Sequence, residues 1–391
     1  MWSSLSSGYL RPILAGVNSK DAYSTWLEID RGAIVDNIGQ LLELTGVRVM
    51  AVVKANGYGH GIAEVARVAV SAGATYCGIA RVEEAFELRR AGIEAPVMVL
   101  GYTPDDCLVE AVGQNVTLTL FHPEQVGVLS AAAGVAGRPA RVHVKVDTGM
   151  SRLGAPPALA FEILRRLTAA PGVEVEGIFT HFARADEPDE PTTEIQERRF
   201  LDVLAEAEAA GLRPPLAHTA NSAATLTRPS THLDMVRIGV ALYGLAPLSG
   251  SPLPAGFRPA LTWKARLTHI QKCQPNTGVS YGHVYRTRGE ETIGVVSVGY
   301  ADGYRRMDGN QVLIHGRRVP VVGRVCMDQI MVRLDDVPHA KVGDEVVLIG
   351  SQDAEHISAE EVAVRWGTIN YEVTSGITSR VPRVYLDRQQ P

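Results

Sequence analysis

The sequence contains only four cysteines in 391 residues, and their spacing excludes the common cysteine-based sites. Cys77, Cys107, Cys273 and Cys326 form no CxxC pair and have no nearby histidine at zinc-finger spacing. Cysteines without such a pattern are usually buried and reduced in proteins of the cytosol. We therefore expect four buried, reduced thiols and a cytoplasmic protein.

Long hydrophobic runs and tracts of one charge are also lacking. No apolar run approaches the ~20 residues that span a bilayer, and no charged segment precedes an apolar core at the N-terminus. These features argue against a membrane protein and against a secretory signal, so residues 1–24 are expected to form a loosely ordered extension. The 38 basic and 43 acidic residues are spread through the chain, which argues against nucleic-acid binding.

What the sequence does contain is an alternation of short apolar runs with segments of helical periodicity. The strand-like runs lie at 47–54, 75–80, 96–101, 116–121, 140–147, 173–182, 215–220 and 235–244. Near-continuous apolar strands between helices are typical of a parallel sheet that is covered on both faces. Eight such strands, with no GxGxxG fingerprint in the first βα turn, favour an α/β fold of the (β/α)8, TIM-like barrel type.

The two clearest helices of this region are predicted over 62–73 and 82–92, each with a glycine at its end. After Pro259 the texture changes to successive strand-like runs, and only 359–367 has helical periodicity. The sequence therefore predicts a barrel domain over 25–255 and a predominantly β C-terminal domain over 256–391.

Polar residues follow the predicted barrel strands at the points where those strands end. Lys54 ends the first run, and the later ones are Lys145 and Asp147, His181, His218, Asn221 and Ser222, and Arg237. A lysine in the position of Lys54 can reach solvent with its amine, or it can be desolvated with the lowered pKa that a Schiff-base amine requires. Function collects at this end of a barrel, and several buried polar groups must pair there to be tolerated.

The residues after the last two predicted barrel strands suggest a phosphate site. Ser222 and Gly239 follow those strands, where barrels often bind phosphate through backbone N–H groups and a hydroxyl. A lysine, an arginine and a phosphate cradle at one barrel mouth indicate pyridoxal 5'-phosphate.

Eight ordered motifs then point to one family: AVVKANGYGHG, VKVDTGMSRLG, HTANSAA, VRIGVALYGLAP, VSYGHVYRT, GYADGYRR, GRVCMDQ and TINYEV. In this order they resemble the alanine racemase family from about Thr25 to Pro382. The resemblance implies a pyridoxal-phosphate enzyme of fold type III, with an N-terminal barrel, a C-terminal β-domain and a head-to-tail homodimer. It also implies that the protein interconverts L- and D-alanine and supplies D-alanine for peptidoglycan.

The resemblance implies a catalytic pair of bases on opposite faces of the substrate. Lys54 would bind the cofactor as a Schiff base and act on the D-side, and Tyr281 would act on the other side from the partner subunit. His218 would hydrogen-bond Tyr281, and Met327, also from the partner, would offer its backbone N–H to the substrate carboxylate beside Asp328.

The remaining implied roles concern cofactor binding and the entrance. The phosphate would be held by Tyr58, Ser222, Ile238, Gly239 and Tyr371. Arg237 would face the pyridine nitrogen, His181 would pack on the ring, and Arg152 would contact the cofactor's phenolic oxygen and the substrate. Tyr300 and Tyr371 would narrow the entrance.

Three residues leave alternatives open. In many members of the family the lysine at the position of Lys145 is carbamylated and can pair with Arg152; the alternative is an unmodified lysine paired with a carboxylate such as Asp147. Arg81 is expected near the barrel interior, paired or tuning the site, and His60 is expected in a turn or on the surface.

Other functions on a similar frame also stay open. A serine or broad-spectrum racemase would use the same residues. A non-catalytic pyridoxal-phosphate homeostasis protein would be a barrel alone, so the second domain argues against it. A decarboxylase of this fold type would present a glutamate rather than Arg237 to the pyridine nitrogen. No metal is expected, since His143 and His283 have no partner at ligand spacing.

Overall fold

The computed structural model describes residues 22–187, 190–248 and 250–387, which form two compact units. One unit consists of residues 31–260, and the other combines the described residues up to 30 with residues 261–387. Most of the predicted N-terminal extension, residues 1–21, lies outside the described part of the chain.

The first unit is a parallel barrel, as the sequence predicted. After β1 (Thr25–Asp30), which belongs to the other unit, its strands are β2 (Arg48–Val52), β3 (Tyr76–Ile79), β4 (Val97–Val99), β5 (Val116–Leu120), β6 (Ala140–Lys145), β7 (Val173–Phe179), β8 (Leu216–His218) and β9 (Met235–Ile238). All seven pairings are parallel, in the order β8-β7-β6-β5-β4-β3-β2-β9. Hydrogen bonds from Asp234 N to Ala217 O and from Arg237 N to Ala220 O bring β9 beside β8 and nearly close the barrel.

Helices connect these strands, with bounds α1 (Arg31–Thr45), α2 (Lys54–Tyr58), α3 (Ile62–Ser71), α4 (Val82–Arg90), α5 (Leu108–Gly113), α6 (Gln125–Ala136), α7 (Pro157–Thr168), α8 (Thr192–Ala209) and α9 (Ser222–Thr227). The two helices predicted from periodicity are α3 and α4. Each is followed by a glycine in the left-handed region, Gly73 with φ +109° and Gly92 with φ +78°. A glycine at that position ends a helix without the steric penalty of a Cβ atom.

Apolar side chains fill the barrel and give its strands their rigidity. One cluster is formed by Met50, Tyr76, Met98, Phe179, Leu216 and Met235, all buried. Full burial of such a side chain stabilises the folded state by about 1.5–3 kcal/mol. The polar residues at the strand ends are therefore attached to a rigid scaffold.

The second unit is mainly antiparallel sheet. Its strands are β1, β10 (Leu261–Cys273), β11 (Gly278–Val279), β12 (Tyr285–Arg286), β13 (Glu291–Val296), β14 (Gln311–Ile314), β15 (Arg317–Pro320), β16 (Ile330–Arg333), β17 (Glu345–Gln352), β18 (Glu355–Ile357) and β19 (Arg383–Leu386). β1 pairs antiparallel with β10 and parallel with β19. The predicted domain ranges, 25–255 and 256–391, therefore differ from the observed units in two places. β1 belongs to the second unit, because its partners lie more than 200 residues away, and residues 256–260 belong to the barrel unit.

The expectation of one helix in the C-terminal part was wrong. Besides α10 (Ala359–Trp366), which was predicted, the chain forms α11 (Asn370–Ser375). The alternation of apolar and polar residues in this six-residue segment is typical of a strand. The segment forms a helix because it packs against α10.

The cysteines are reduced, but only two of the four are buried. Cys77 and Cys273 are buried as expected, whereas Cys107 and Cys326 are half-exposed. Among the described residues, no helix is both long enough and apolar enough to cross a bilayer.

Candidate functional site

Lys54 stands at the start of an unusual turn at the carboxyl end of β2. The following residues Ala55, Asn56, Gly57 and Tyr58 all have positive φ, between 51° and 61°. Left-handed helical backbone costs about 1–2 kcal/mol for each residue other than glycine. Four left-handed residues in succession next to a lysine, three of them not glycine, indicate a backbone conformation that the surrounding structure must hold in place.

Two polar side chains of the turn hydrogen-bond its backbone. Asn56 Oδ1 accepts from Ile62 N at 3.0 Å. The fully buried His60 donates from Nδ1 toward the carbonyl oxygens of Gly57 and Tyr58, at 3.1 and 3.0 Å. His60 therefore lies in the turn, which was one of the two expected positions, and it stabilises the conformation that presents Lys54.

The amine of Lys54 is prepared for chemistry by its surroundings. Burial and the nearby Arg152 cation lower the pKa of Lys54 below its usual value, while Glu84 opposes them. A lowered pKa leaves more of the amine neutral near pH 7, and only the neutral amine is a nucleophile or a base.

A cradle of hydroxyl and backbone N–H groups lies where β8 and β9 end. Ser222 opens α9, and its Oγ accepts from the backbone N–H of Gly239 at 3.0 Å. A Cβ atom at Gly239 would lie 2.5 Å from the hydroxyl oxygen of Tyr58, so only glycine allows this hydroxyl so close to the chain. Ile238, the last residue of β9, is fully buried behind the cradle. Backbone N–H groups and two hydroxyls in this arrangement suit a phosphate.

Arg237 is the centre of a buried polar network. Its NH1 donates to Nδ1 and O of His218 at 2.9 and 3.0 Å, and its NH2 donates to Nδ1 of His181 at 3.2 Å and to the carbonyls of Thr180 and Thr219 at 2.8 Å. Burial lowers the pKa of Arg237 to about 9, so the guanidinium remains charged at neutral pH. Its Nε–H is the only guanidinium N–H that finds no acceptor among the described residues.

The structure corrects the role expected for His218. Arginine can only donate, so Nδ1 of His218 accepts and its proton is on Nε2. That Nε2–H is 2.8 Å from Nδ1 of His143, so both ring nitrogens of His218 are engaged inside the barrel. The ring is fully buried and has no hydrogen bond left to offer Tyr281.

His181 is the histidine of the network that remains accessible. It follows β7, is partly exposed, and uses Nδ1 to accept from Arg237. Burial, and after it the Arg237 cation, lowers the pKa of His181 well below its usual value. The ring is therefore neutral and carries its proton on Nε2.

Lys145 ends β6 in a strongly electropositive environment. Burial and the cations Arg237, Arg152 and Lys54 lower the pKa of Lys145 to about 7. Its Nζ is 3.5 Å from Leu100 O and forms no ion pair with any described residue.

The expected alternative partner of Lys145 is engaged elsewhere. Asp147 Oδ1 accepts from the backbone N–H groups of Gly149, Met150 and Ser151 at 3.0–3.1 Å. The carboxylate thus shapes the loop that leads to Arg152, which is exposed. The unmodified pairing of Lys145 with Asp147 is therefore not what the structure contains.

Arg81 lies elsewhere than the sequence suggested. It is exposed and immediately precedes α4, so it is neither in the barrel interior nor paired there. Its backbone N–H donates to Glu84 Oε2 at 3.2 Å. The exposure of Arg81 is determined by the direction of its side chain at the start of this helix, and no pattern in the sequence predicts that direction.

The remaining candidates lie in the second unit. Tyr281 begins a short 3-10 turn and its side chain is 68% exposed. The preceding Ser280 has φ +62° and ψ −174°, a region that is otherwise almost confined to glycine. Ser280 Oγ donates to Arg324 O at 2.6 Å and thereby ties the turn to the loop that carries Met327.

Tyr300, Met327 and Asp328 belong to the same part of the second unit. Tyr300 N donates to Cys326 O at 3.1 Å and Ala301 N to Met327 O at 3.0 Å. Tyr300 and Met327 are exposed, and Asp328 is bound by Arg380 at 2.8 Å. Tyr371 is half-exposed in α11. Large apolar side chains exposed on one unit are typical of a surface that meets another molecule.

Sequence reasoning missed two residues that the structure joins to the site. Glu84 accepts a hydrogen bond from the residue after Lys54, and His143 continues the network beyond His218. The alternation of β6 was a usable signal for His143, which is two residues from Lys145 and therefore on the same face of the strand.

The chain matches the two family models of a known enzyme. The alanine racemase N-terminal domain matches residues 29–247, and the alanine racemase C-terminal domain matches residues 260–385. A curated alanine racemase from Symbiobacterium thermophilum is 48% identical over 364 residues, which cover 92% of this chain and 97% of that protein.

Solved structures agree with the sequence matches. The alanine racemase of Clostridium difficile 630 has a TM-score of 0.90 and 39% identity, and the match covers 94% of this chain and 97% of that one. The crystal structure of the Bacillus anthracis enzyme with bound L-Ala-P has a TM-score of 0.87 and 42% identity, with 94% and 95% covered.

Proposed function

Because this chain belongs to the alanine racemase family, we propose that it interconverts L- and D-alanine with pyridoxal 5'-phosphate by a two-base mechanism. It is an isomerase, as relatives that match more than nine-tenths of the chain are alanine racemases. The observation that carries the proposal is the convergence of Lys54, Arg237 and the Ser222–Gly239 cradle in the barrel unit.

The residues present fit the cofactor. The cradle of Ser222, Gly239 and Tyr58 suits its phosphate, since a Cβ at Gly239 would fill the space that the Tyr58 hydroxyl approaches. The Nε–H of Arg237 suits the pyridine nitrogen as a donor, and Lys54 supplies an amine of lowered pKa for the aldehyde. Ile238 and Tyr371 would complete the phosphate site, and the ring of His181 would pack on the cofactor.

When bound, pyridoxal phosphate withdraws electrons from the α-carbon of an amino acid and makes its α-proton acidic. Racemisation removes this proton from one face and returns one to the other, so an acid–base group is needed on each side. We assign the D-side to Lys54. We assign the other side to Tyr281, supplied by the partner subunit of a homodimer.

Arg237 sets the electrostatics of the reaction. Its five N–H groups can only donate, so the pyridine nitrogen would accept a hydrogen bond without receiving a full proton. Withdrawal of electrons by the ring is then weaker than with a carboxylic acid in that position. We infer that an arginine in this position would disfavour side reactions such as transamination.

A phenol acts as a base only in its phenolate form, so Tyr281 needs a polar partner that favours this form. Both nitrogens of His218 are engaged, so the polar partner for the partner subunit's Tyr281 is reassigned to His181. Nε2 of the His181 ring carries a proton and takes no part in the hydrogen bonds of the network, which uses Nδ1. As a donor it would stabilise the phenolate form of that side chain.

The exposed surface of the second unit supports the homodimer. Tyr281, Tyr300 and Met327 all leave apolar area in solvent. Met327 N–H donates to no acceptor in the part of the chain that the structure describes, so it is available for a substrate carboxylate beside Asp328. Arg152 would hold the same substrate from the barrel unit, and Tyr300 and Tyr371 would narrow the entrance.

We propose further that Lys145 is carbamylated. Its neutral amine attacks the carbon of CO2, a C–N bond forms while the electron pair of one C=O π bond moves to oxygen, and a proton leaves nitrogen for solvent, so an amine that is otherwise partly cationic becomes an anionic carbamate. The lowered pKa of Lys145 provides the neutral amine, and Arg237 and Arg152 surround it with positive charge. The carbamate would pair with Arg152 and hold it for the cofactor and the substrate.

The test is proton NMR of L-alanine in D2O with purified, cofactor-loaded protein, combined with chiral analysis of the product. Loss of the α-proton signal together with the appearance of D-alanine is expected, and D-alanine from this reaction would serve peptidoglycan synthesis. A protein that binds the cofactor but exchanges only serine would contradict the alanine assignment. One that exchanges no amino acid would favour a non-catalytic cofactor-binding role.

A further inference from the structure

The left-handed turn after Lys54 contains one residue whose side chain cannot anchor it. Gly57 adopts positive φ without penalty, Asn56 is fixed through its side chain, and the Tyr58 hydroxyl lies against Gly239. Ala55 has φ +53° and ψ +52°, is exposed, and carries only a methyl group. It is also the residue directly bonded to Lys54, so any relaxation at Ala55 moves the amine.

The backbone N–H of Ala55 is held by a carboxylate from the neighbouring βα segment. Glu84 Oε1 accepts from Ala55 N at 2.6 Å. The second oxygen, Oε2, accepts from Ala80 N at 2.8 Å and from Arg81 N at 3.2 Å. One carboxylate therefore joins three backbone N–H groups from two chain segments that follow the adjacent strands β2 and β3.

The chemistry of this contact suits a rigid attachment. Hydrogen bonds from backbone N–H groups to an ionised carboxylate are shorter and stronger than neutral ones. Glu84 is in the first turn of α4, where the helix dipole favours negative charge, so its position is fixed by the helix as well. A side chain fixed at both oxygens holds Ala55 more firmly than solvent could.

We propose that Glu84 is a positioning residue that clamps the strained turn and thereby sets the location of the Lys54 amine. The proposal rests on the proposed function, in which Lys54 binds the cofactor. Glu84 touches neither cofactor nor substrate in this scheme and acts through the backbone of Ala55. Its charge also opposes the effect of Arg152 on Lys54.

The test compares Glu84→Ala and Glu84→Gln with Glu83→Ala, an exposed acidic residue in the same helical turn. The first readout is hydrogen–deuterium exchange of the segment 54–61 in the full-length protein. The second is the pyridoxal phosphate dissociation constant from the visible absorbance, and the third is kcat and KM for L-alanine.

We expect exchange in 54–61 to become at least about tenfold faster in Glu84→Ala, because the Ala55 N–H loses its acceptor. Misplacement of a reacting group by about 1 Å costs up to 10²-fold in rate, so kcat should fall by ~10–100-fold with a smaller change in KM. Cofactor binding should weaken about tenfold. In all three readouts Glu84→Gln should lie between wild type and Glu84→Ala, since an amide oxygen can accept on only one side of the clamp. Glu83→Ala should stay within about twofold of wild type in each readout.

The outcomes separate the clamp from the proposed function. Unchanged exchange and cofactor affinity in both Glu84 variants, with only a lower melting temperature, would reduce Glu84 to a cap of α4 and overturn the proposal. Wild-type protein without a visible cofactor band would overturn the proposed function, whereas the exchange measurement would still decide whether Glu84 holds the turn. If Glu84→Ala fails to fold, Glu84→Gln provides the same readouts.

Discussion

His218 Nε2 lies 2.8 Å from His143 Nδ1, and the direction of this hydrogen bond is fixed from outside the pair. Arg237 donates to the other nitrogen of His218, so the proton of His218 points to His143. The proton of His143 is then on Nε2, which is 4.0 Å from Glu176 Oε2. One arginine therefore determines the tautomers of two buried rings, and burial together with this cation keeps both rings neutral.

The neutral state of His143 predicts a pH dependence of stability. Burial, with help from Arg237, lowers the pKa of His143 from 6.5 to about 3. Between these values the unfolded chain binds a proton that the folded chain does not, so the free energy of unfolding falls as the pH drops below 6.5. One histidine accounts for at most about 1.4 kcal/mol per pH unit. The slope of the urea midpoint from about pH 5 to 6.5 should decrease in His143→Phe relative to the exposed His269→Gln, and equal slopes would refute the neutral state of His143 in the folded protein.

Tyr281→Phe should separate the two directions of proton exchange. Removal of an acid–base group costs about 10²–10⁴ in rate, and only the face served by the phenol should lose this contribution. In D2O, α-proton exchange from L-alanine should fall by that factor, while exchange from D-alanine through Lys54 should change far less. Equal losses from both enantiomers would argue against one base on each face.

Mixing of inactive subunits tests whether the sites are shared. Lys54→Ala should abolish both the visible cofactor band and racemisation, and Tyr281→Phe should greatly reduce racemisation. If each site takes Lys54 from one subunit and Tyr281 from the other, mixed dimers contain one intact site. A 1:1 mixture after subunit exchange should then recover about a quarter of wild-type activity, because half of the dimers are mixed. The absence of any recovery, with exchange verified by native mass spectrometry, would contradict shared sites.

The proposed carbamate on Lys145 can be tested directly by 13C NMR in the presence of 13C-bicarbonate. Since only the neutral amine reacts and the pKa of Lys145 is about 7, the carbamate signal should increase as the pH rises through 7. The signal should be missing in Lys145→Gln. A wild-type spectrum at about pH 8 identical to that of the variant would show an unmodified lysine.

Gly239→Ala tests the phosphate cradle by steric means. The new Cβ would lie 2.5 Å from the Tyr58 hydroxyl oxygen, so this side chain must move away from the cradle. We expect about tenfold weaker binding of pyridoxal phosphate in a spectrophotometric titration, equivalent to ~1.4 kcal/mol. Gly134→Ala in α6, where nothing lies within 4 Å of the added methyl group, is the control and should bind as wild type. Equal affinities would place the phosphate elsewhere.

Much of the barrel could be predicted because it rests on local patterns. Each of the eight apolar runs became one strand, and α3 and α4 ended next to the glycines at positions 73 and 92, since hydrophobic periodicity and helix termination act over a few residues. The polar residues at the strand ends could also be predicted, because each follows its apolar run directly. Their grouping followed as well, because parallel strands bring their carboxyl ends to one edge. The pairing of β1 with β10 was not visible, since it joins segments that are more than 200 residues apart.

The sequence by itself therefore determined which residues are available at the barrel mouth, and its ordered motifs determined the family. Only the tertiary structure decided how these residues are connected. Three of these connections depend on side-chain directions and on contacts between distant segments. Both nitrogens of His218 are engaged, Asp147 binds a loop rather than Lys145, and Glu84 reaches Ala55. Such contacts follow from packing of the whole barrel, and neither spacing nor residue type along the chain specifies them.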